Sequence, residues 1–293
     1  MSLNFEPIAL DRQEEYLDRF SQCAQKSSEY SFVNLWGWAE EHGLCWAWSD
    51  ELVWIQQNRP ETIYWAPVGP WEHVGWNKCL DETFSGRTLF ARIPETLFRI
   101  WEKRIGQRIA AEESREHWDY LYAVDDLIAL GGKSFHKKKN LLNQFRKKYD
   151  FEYVPFETAM IEMAMGMQED WCTWRDCESS ESLSSENRAI SRTLDQWENL
   201  KGIMGGALIV EEKMAAYTIA ESLAEDTLVV HFEKGSPDYK GVYQAVNQMF
   251  LEHSGGNFKI VNREQDLGDE GLRKAKLSYN PIDFLKKYRV VWS

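Results

Sequence analysis

The sequence has no long apolar run and little that marks an exported, cross-linked or metal-binding protein. None of its apolar stretches approaches the ~20 residues that a membrane-spanning helix needs. Its first residues lack the basic and then apolar segments of a signal peptide, so we expect no export signal. Its five cysteines are odd in number, scattered, and form no Cys-x-x-Cys motif. This spacing predicts reduced thiols in a cytoplasmic protein and argues against a disulfide framework and a zinc site.

What is present is the composition of a globular protein with a strongly negative charge. The chain has 293 residues, of which 43% are hydrophobic and 28% charged, and this length favours two domains. A net charge of −13 argues against a general nucleic-acid coat but permits a local basic site. Fourteen tryptophans are present, and those in the first half are expected to pack mainly in its core.

Hydrophobic periodicity predicts the same order of elements twice. Each half shows helices, three meandering strands, a helix, a strand, a helix and closing strands. The repetition predicts two similar mixed α/β domains, at residues 1–120 and 121–293. In the first half we expect helices at 11–22, 32–41, 71–84 and 94–105 and strands at 44–48, 52–57, 62–67, 88–93, 108–112 and 118–122. In the second half we expect helices at 135–148, 158–176, 188–199 and from 241, strands at 151–154, 206–211, 214–221, 227–232 and 258–262, and a mobile loop at 179–187.

The segment from 227 to 279 organises the second half. Two apolar strands, at 227–232 and 258–262, are separated by one helix that begins near Gly241. Strands joined by one crossover helix lie parallel and adjacent, so both carboxyl ends meet at one edge of the sheet. This predicts a cleft between the two strand ends. An ordinary strand–helix–strand unit with solvated turns is the alternative interpretation.

The order of elements resembles the acyltransferase fold of the GNAT superfamily, and several motifs narrow the resemblance. Together they are similar to a bacterial family related to the C-terminal catalytic domain of phosphatidylglycerol lysyltransferases, which is built from tandem GNAT-like domains. The membrane-spanning part of those enzymes has no counterpart in the sequence, so lipid modification is not carried over. The motifs are Tyr-Leu-Tyr at 120–122, the lysine-rich 132–140, Phe-Glu-Lys at 232–234, Gly-Val-Tyr-Gln at 241–244, Asn247, and 262–268 with 271–276.

The resemblance implies an acyl or aminoacyl transferase. An acceptor would attack an activated ester or thioester directly, with aminoacyl-tRNA or acyl-CoA as the donor. The turn into the helix at Gly241 lacks the fuller glycine pattern that cradles coenzyme A pyrophosphate, which argues against coenzyme A. The alternative is a non-catalytic protein of the same fold that binds an anion. We expect the first domain to be catalytically silent, because its loop at 68–70 carries no charge.

Candidate site residues follow from these motifs. Glu233 is the best-placed general base, and Asp266 either takes that role or orients an attacking amine. Tyr279 is a third predicted catalytic residue. The sequence has no Cys–His motif that would indicate covalent catalysis. It also has no second histidine at the spacing of metal ligands, so it indicates no metal site. The predicted donor-binding residues, which include cations near the developing oxyanion, are Lys234, Lys240, Gly241, Gln244, Asn262, Arg273, Lys274 and Lys276.

A basic helix stands out in this acidic chain. Residues 133–148 carry seven lysines and arginines and no acid, and their periodicity turns the cations outward. Such a helix predicts a polyanionic partner, either a tRNA acceptor stem or an anionic lipid head group, with a solubilising surface as the alternative. The predicted contact residues are Lys133, His136, Lys137, Lys138, Lys139 and Asn140.

Overall fold

The computed structural model describes residues 3–293, which fall into two compact units. The first unit comprises Met1–Asp119, Gln265–Asp269 and Phe284–Ser293, and the second comprises Tyr120–Glu264 and Glu270–Asp283. Each unit is built on one mixed sheet of seven strands. The division differs from the predicted one at the C-terminus, where the last ten residues return to the first unit. Within residues 3–293, no helix combines the length and apolarity that crossing a bilayer requires.

The sheet of the first unit has the order β1-β2-β3-β4-β5-β14-β6, and β4 and β5 are its parallel pair. Its large fully buried side chains include Trp46, Trp54, Trp65, Trp76 and Trp101, which form an aromatic core. Its strands are β1 (Glu6–Pro7), β2 (Cys45–Trp48), β3 (Val53–Gln57), β4 (Ile63–Tyr64), β5 (Thr88–Pro94), β6 (Ile109–Glu113) and β14 (Lys287–Trp292). Its helices are α1 (Gln13–Ser21), α2 (Phe32–His42), α3 (Trp76–Thr83) and α4 (Glu95–Ile105).

The sheet of the second unit has the order β13-β7-β12-β11-β10-β9-β8. As predicted, its strands β11 and β12 are parallel neighbours joined through one helix, α9. Its strands are β7 (Asp119–Ala123), β8 (Phe151–Pro155), β9 (Ile203–Val210), β10 (Lys213–Ala224), β11 (Thr227–Gly235), β12 (Ile260–Asn262) and β13 (Asp283–Leu285). Its helices are α5 (Val124–Ala129), α6 (Gly132–Lys148), α7 (Ile161–Arg175), α8 (Glu181–Asp195), α9 (Val242–Ser254) and α10 (Glu270–Leu277).

Two strands lie in the opposite sheet from the one predicted. The strand expected to close the first domain, β7, pairs antiparallel with β12 in the second sheet, with Tyr122 opposite Val261. Conversely, the C-terminal strand β14 lies between β5 and β6 of the first sheet. Alternation of apolar residues defines which face of a strand is buried but does not identify its hydrogen-bonding partner. The order of elements therefore repeats along the chain, while strand pairing crosses the predicted boundary.

The predicted loop at 179–187 is wrong, because most of it forms the first half of α8. Ser180 caps this helix, and its Oγ accepts a hydrogen bond from the backbone N–H of Leu183 at 3.4 Å. Serine and glutamate suggested a loop, but the same residues are favourable in the cap and first turn of a helix. The helix expected at 71–84 is also shorter, since α3 starts at Trp76.

The expectation of five reduced cysteines is wrong for one pair. Cys172, in the last turn of α7, forms a disulfide with Cys177, five residues further along the chain. Asp176 adopts a left-handed backbone conformation (φ 52°) after α7, and this reverses the chain between the two cysteines. The other three cysteines are free thiols, and burial raises the pKa of Cys23 to about 12.

Candidate active site

The strands β11 and β12 separate at the centre of the second unit. Their parallel pairing runs from Thr227 opposite Ile260 to Val229 opposite Asn262. Beyond this point, ionisable side chains rather than backbone hydrogen bonds connect the segment that continues β11 with the segment that follows β12. We call this region the β11–β12 opening.

Glu233 is held at the opening by two donors. Its Oε1 accepts a hydrogen bond from Arg263 Nη2 at 2.9 Å, and its Oε2 accepts one from Asn247 Nδ2 at 3.1 Å. The side chains of Glu233 and Arg263 are only 9% and 14% exposed. Burial opposes the charge on Arg263, but Glu233, Tyr279 and Tyr122 outweigh it and raise the pKa of the guanidinium. The carboxylate is therefore fixed in one orientation at the carboxyl end of β11.

Tyr279 lies beside this ion pair. Its hydroxyl accepts a hydrogen bond from Gln244 Nε2 at 3.1 Å, and the Arg263 guanidinium lies 4.9 Å from its ring centre. Burial raises the pKa of Tyr279, so the phenol keeps its proton at neutral pH. Because Gln244 already donates to the oxygen, the phenolic hydrogen is available as a donor to a bound molecule.

Lys138 brings an ammonium group from α6 to the same place. Its Nζ lies 3.9 Å from the centre of the Tyr279 ring. Burial lowers the pKa of Lys138, and the charge of Arg263 acts in the same direction. Within residues 3–293, no oxygen or nitrogen acceptor forms a hydrogen bond with this ammonium. Glu233, Asn247, Arg263, Gln244, Tyr279 and Lys138 are called the Glu233 cluster below.

A second set of charges lies deeper in the opening. His231 donates from Nδ1 to Glu264 Oε1 at 2.8 Å and from Nε2 to Glu221 Oε1 at 2.9 Å. The imidazole is fully buried, and Glu221 and Glu264 are 4% and 18% exposed. Burial lowers the pKa of the imidazole, but hydrogen bonds and charges from both glutamates outweigh it and raise the pKa to about 9. These three residues are called the His231 triad.

The N-terminus of α9 is occupied by the protein's own contacts. Gly241 has a left-handed backbone (φ 90°), and a β-carbon at this position would lie only 2.3 Å from the carbonyl oxygen of Leu141. The preceding amides also have internal acceptors: Asp238 N–H donates to Ser236 Oγ at 3.3 Å and Lys240 N–H to Tyr149 OH at 3.2 Å. Gly241 thus permits close packing of α9 on α6, and these amides are not directed at a ligand.

Of the predicted site residues, Glu233, Tyr279, Gln244 and Lys138 lie together in the Glu233 cluster. Lys276 contacts its edge, since its Nζ donates to the carbonyl oxygen of Arg263. Asn262 is fully buried and caps the turn after β12, with its Oδ1 accepting from the N–H of Glu264 at 2.8 Å.

Two other predicted residues have different surroundings. Lys234 is buried on another face of β11, where its Nζ lies 2.7 Å from Glu186 and 3.8 Å from the centre of the Trp171 ring. Asp266 belongs to the first unit, where it is fully buried and pairs with Arg115 at 3.0 Å. Neither side chain is part of the Glu233 cluster.

The remaining predicted cations lie on the surface of α10, α6 and the loop before α9. Lys240 and Lys274 are exposed, and Arg273 is half-buried on α10, a helix that buries none of its residues. The predicted polyanion contacts on α6 other than Lys138 are all exposed: Lys133, His136, Lys137, Lys139 and Asn140.

Three site residues had no assigned role in the sequence interpretation. Arg263 was quoted as part of a motif, but its position directly after β12 and opposite the end of β11 could have identified it as the partner of Glu233. Asn247 lies one helical turn after Gln244 on α9, so both amides share one face. His231 gave no signal, because nothing in the local sequence indicates that its partners are Glu221 and Glu264.

Solved structures share this architecture. A conserved protein of unknown function from Bacteroides thetaiotaomicron has 28% identity and a TM-score of 0.88, with 99% of this chain and 100% of that chain covered. The C-terminal domain of a putative lysylphosphatidylglycerol synthetase from Agrobacterium fabrum has a TM-score of 0.67 at 11% identity, with 97% and 92% covered. The latter identity is low enough that it shows the fold alone. The prediction of an α/β protein with two domains, each built on a mixed sheet, is confirmed.

Sequence comparison gives the family. An uncharacterised protein of Mycoplasmoides gallisepticum is 27% identical over 175 residues, which are 59% of this chain and 55% of that protein. The chain thus spans about half the length of this curated relative. The family model for the C-terminal part of phosphatidylglycerol lysyltransferase matches residues 20–291. Because this match spans nearly the whole chain, the protein belongs to the family of phosphatidylglycerol lysyltransferase C-terminal domains.

Proposed function

We propose that the second unit is an aminoacyltransferase, in which a nucleophilic acceptor attacks an activated aminoacyl ester directly. The observation that carries this proposal is the Glu233 cluster. It combines a buried, oriented carboxylate with a phenol and an ammonium, both of which have hydrogens available for a bound molecule. These are the groups that acyl transfer needs, namely a proton acceptor for the nucleophile and donors for the developing oxyanion.

The reaction assigns one task to each group. Glu233 accepts the proton that the acceptor amine or hydroxyl loses as it bonds to the ester carbonyl carbon. The Lys138 ammonium stabilises the negative charge that develops on the carbonyl oxygen. Collapse of the tetrahedral intermediate breaks the bond to the donor hydroxyl, and Tyr279 gives that leaving oxygen a proton. Arg263 and Asn247 keep the Glu233 carboxylate in position throughout.

The surroundings of α9 favour an ester donor over a coenzyme A thioester. A pyrophosphate would need free backbone amides before α9, whereas those of Asp238 and Lys240 bond inside the chain and Gly241 packs against α6. The family description names a lysyltransferase, which supports an aminoacyl donor. We therefore propose aminoacyl-tRNA as the donor and retain acyl-CoA as the option to be excluded by experiment.

The exposed lysines of α6 supply a surface for the polyanionic part of a substrate. Lys133, Lys137 and Lys139 are exposed on the helix that also carries Lys138 into the cluster, and Lys139 Nζ donates to the carbonyl oxygen of Ala129 at 3.2 Å. We propose that this surface contacts the phosphates of tRNA, and an anionic lipid head group is the competing occupant.

The donor also suggests the compartment. Aminoacyl-tRNA is made in the cytoplasm, so we propose that the protein works there, whereas the Cys172–Cys177 disulfide is typical of oxidising compartments. Titration of free thiols in protein trapped directly from cells decides between the two.

The direct test measures loss of the ester bond. The purified protein is incubated with a mixture of the twenty aminoacyl-tRNAs and an amine-containing acceptor mixture, and deacylation is compared with a protein-free control. We expect enzyme-dependent transfer, and we expect Glu233→Gln to lower its rate on the order of 10²-fold or more because the general base is lost. A parallel assay with acetyl-CoA should release no thiol.

The alternative is a non-catalytic protein that binds an anion through the same cluster. The Lys138 ammonium, which has no acceptor among the described residues, is the observation that favours it. Saturable binding of deacylated and aminoacylated tRNA without ester loss under any condition would support this alternative and contradict the transferase.

A further inference from the structure

His231 lies at an irregularity of the sheet that directs its side chain into the β11–β12 opening. Across β10 and β11, Ile219 pairs with Phe232 and Ala220 with Val230, so His231 is the extra residue of a β-bulge. Bulges re-aim a side chain and are enriched near functional sites. His231 lies two residues before Glu233 on the same strand.

The geometry favours a charged imidazole. Both ring nitrogens lie within hydrogen-bond distance of carboxylate oxygens, at 2.8 Å from Glu264 and 2.9 Å from Glu221. A neutral imidazole has only one N–H, so its second nitrogen would face a carboxylate with no hydrogen between them. A carboxyl group at each nitrogen therefore favours the imidazolium. Glu221, from β10, and Glu264, from the chain after β12, are the charged groups that act on it.

Glu264 is attached to the backbone that carries Arg263. It is a non-glycine residue in the left-handed region (φ 56°), and its N–H donates to Asn262 Oδ1 at 2.8 Å. Its carbonyl oxygen accepts from the N–H of Tyr120 at 3.2 Å, while the N–H of Arg263 donates to the carbonyl oxygen of Tyr120 at 3.0 Å. A left-handed glutamate persists only where its surroundings hold it, and the His231 hydrogen bond is one of those contacts.

We propose that His231 is a positioning residue for the transfer reaction: its imidazolium holds Glu264, and through the adjacent backbone keeps Arg263 paired with Glu233. The contact between His231 and Glu264 is the first side-chain link across the opening, and the contact between Arg263 and Glu233 is the next. Because Glu264 is paired with His231, its carboxylate does not compete with Glu233 for the guanidinium of Arg263. This inference rests on the proposed aminoacyl transfer for its catalytic consequence, but its structural consequence is independent of that activity.

The test compares His231→Gln and Glu264→Gln with the wild type, and with His253→Gln as a matched control. His253 is a second histidine of this unit; it bonds to the carbonyl oxygen of Met249 and stacks on Tyr153, away from the triad. We expect kcat for aminoacyl transfer to fall about 10²-fold in both triad variants, as expected when a reacting group is displaced by about 1 Å, with little change in KM. His253→Gln should keep the wild-type kcat. If His231→Gln does not fold, Glu264→Gln alone provides the kinetic test, since Glu264 lies nearer the surface.

Two readouts do not depend on transfer. Ring ¹⁵N resonances should show both nitrogens of His231 protonated at pH 7.5, and a crystal structure of Glu264→Gln should show the Arg263–Glu233 distance lengthened beyond hydrogen-bond range. If the wild-type protein has no transferase activity, the proposed function is wrong. The Arg263–Glu233 distance in the Glu264→Gln structure then tests the positioning role by itself. Wild-type kcat in both triad variants, a neutral His231 ring, or an unchanged Arg263–Glu233 pair in the variant would each overturn the inference.

Discussion

The two units connect their separating parallel strands in chemically different ways. In the first unit, β4 and β5 pair at Tyr64 opposite Phe90. Beyond that point the Tyr30 phenol hydrogen-bonds to both segments, and the Arg92 guanidinium lies 4.3 Å from the centre of the Trp65 ring. Tyr30 OH accepts from the N–H of Ala66 at 2.8 Å and donates to the carbonyl oxygen of Arg92 at 2.9 Å. In the second unit the corresponding place holds the His231 triad and the Glu233–Arg263 pair.

This difference distinguishes a structural contact in the first unit from charged groups in the second unit that could take part in a reaction. Tyr30 is buried, and burial raises its pKa well above 10, so its hydroxyl stays neutral and both of its hydrogen-bonding roles are used within the backbone. The β11–β12 opening instead keeps several buried charges that cost desolvation energy unless they are paired. Such a cost is typical of functional sites. The first unit also buries an ion-pair cluster, Lys287 with Glu29 and Asp119, so buried charge alone does not decide whether that unit is catalytically silent.

The largest expected effect tests this assignment of roles. Glu233→Gln should lower aminoacyl transfer by about 10²- to 10⁴-fold, the range for loss of a general base, because an amide cannot take the proton of the acceptor. Tyr30→Phe should leave the rate per folded molecule unchanged, since Tyr30 bonds only to backbone groups of the first unit. Initial rates of ester loss measure both variants. If Tyr30→Phe is as slow as Glu233→Gln, the claim that only the β11–β12 opening takes part in the reaction is wrong.

Only some residues of the β11–β12 opening could be predicted from the sequence. The place of Glu233 could be predicted because the rule for parallel strands puts the carboxyl ends of both strands at one edge of the sheet. Asp266 looked equally suitable in the same polar segment, yet it pairs with Arg115 in the first unit. The backbone path of a charged loop decides which of its carboxylates lies in which unit. Residue type does not encode this path.

Strand pairing was the other limit. The strand predicted at 118–122 is present as Asp119–Ala123, but it pairs in the second sheet. The closing strand of the chain, Lys287–Trp292, pairs in the first sheet and not in the sheet of the second half. His231 shows the same limit for side chains, since its carboxylates lie 10 positions before it and 33 positions after it. Contacts this distant follow from register and from the bulge, neither of which has a local sequence signature.

The second expected effect is a pH dependence that belongs to the second unit. The pKa of His231 is raised from 6.5 to about 9, so its contribution to stability is fully present below pH 6.5 and is lost as pH rises through 9. The difference in unfolding free energy between wild type and His231→Gln should therefore shrink by as much as about 3 kcal/mol between pH 6 and 9.5.

Urea unfolding at several pH values measures this difference. Tyr30→Phe should show no corresponding trend over the same range, because the raised pKa of Tyr30 lies above it. Parallel stability curves for wild type and His231→Gln would contradict a charged His231 in the native state.

The third effect is a loss of stability in the first unit. Tyr30→Phe removes a hydroxyl that serves both Ala66 and Arg92, and leaving buried backbone groups without this partner costs about 1–3 kcal/mol. Tyr64→Phe is the matched control, since its half-buried hydroxyl accepts a bond from Gln56 Nε2 at 3.1 Å and should cost less. Equal midpoints of urea unfolding for the two variants would show that the phenol does not hold the β4–β5 opening together.

The smallest expected effect concerns the surface of α6 in the second unit. Lys137→Gln and Lys139→Gln should each weaken tRNA binding several-fold without altering the fold, because both side chains are exposed and a phosphate contact releases counterions. Each substitution should also reduce the slope of log affinity against log salt by about 0.7 to 0.9 if its lysine contacts a phosphate. Lys213→Gln, exposed at the start of β10, is the matched control and should change neither affinity nor slope. Fluorescence anisotropy with labelled tRNA, repeated with vesicles containing anionic lipid, distinguishes the two proposed occupants. Salt slopes equal to that of the wild type in both lysine variants would make this helix a solubilising surface and leave polyanion binding without a site on α6.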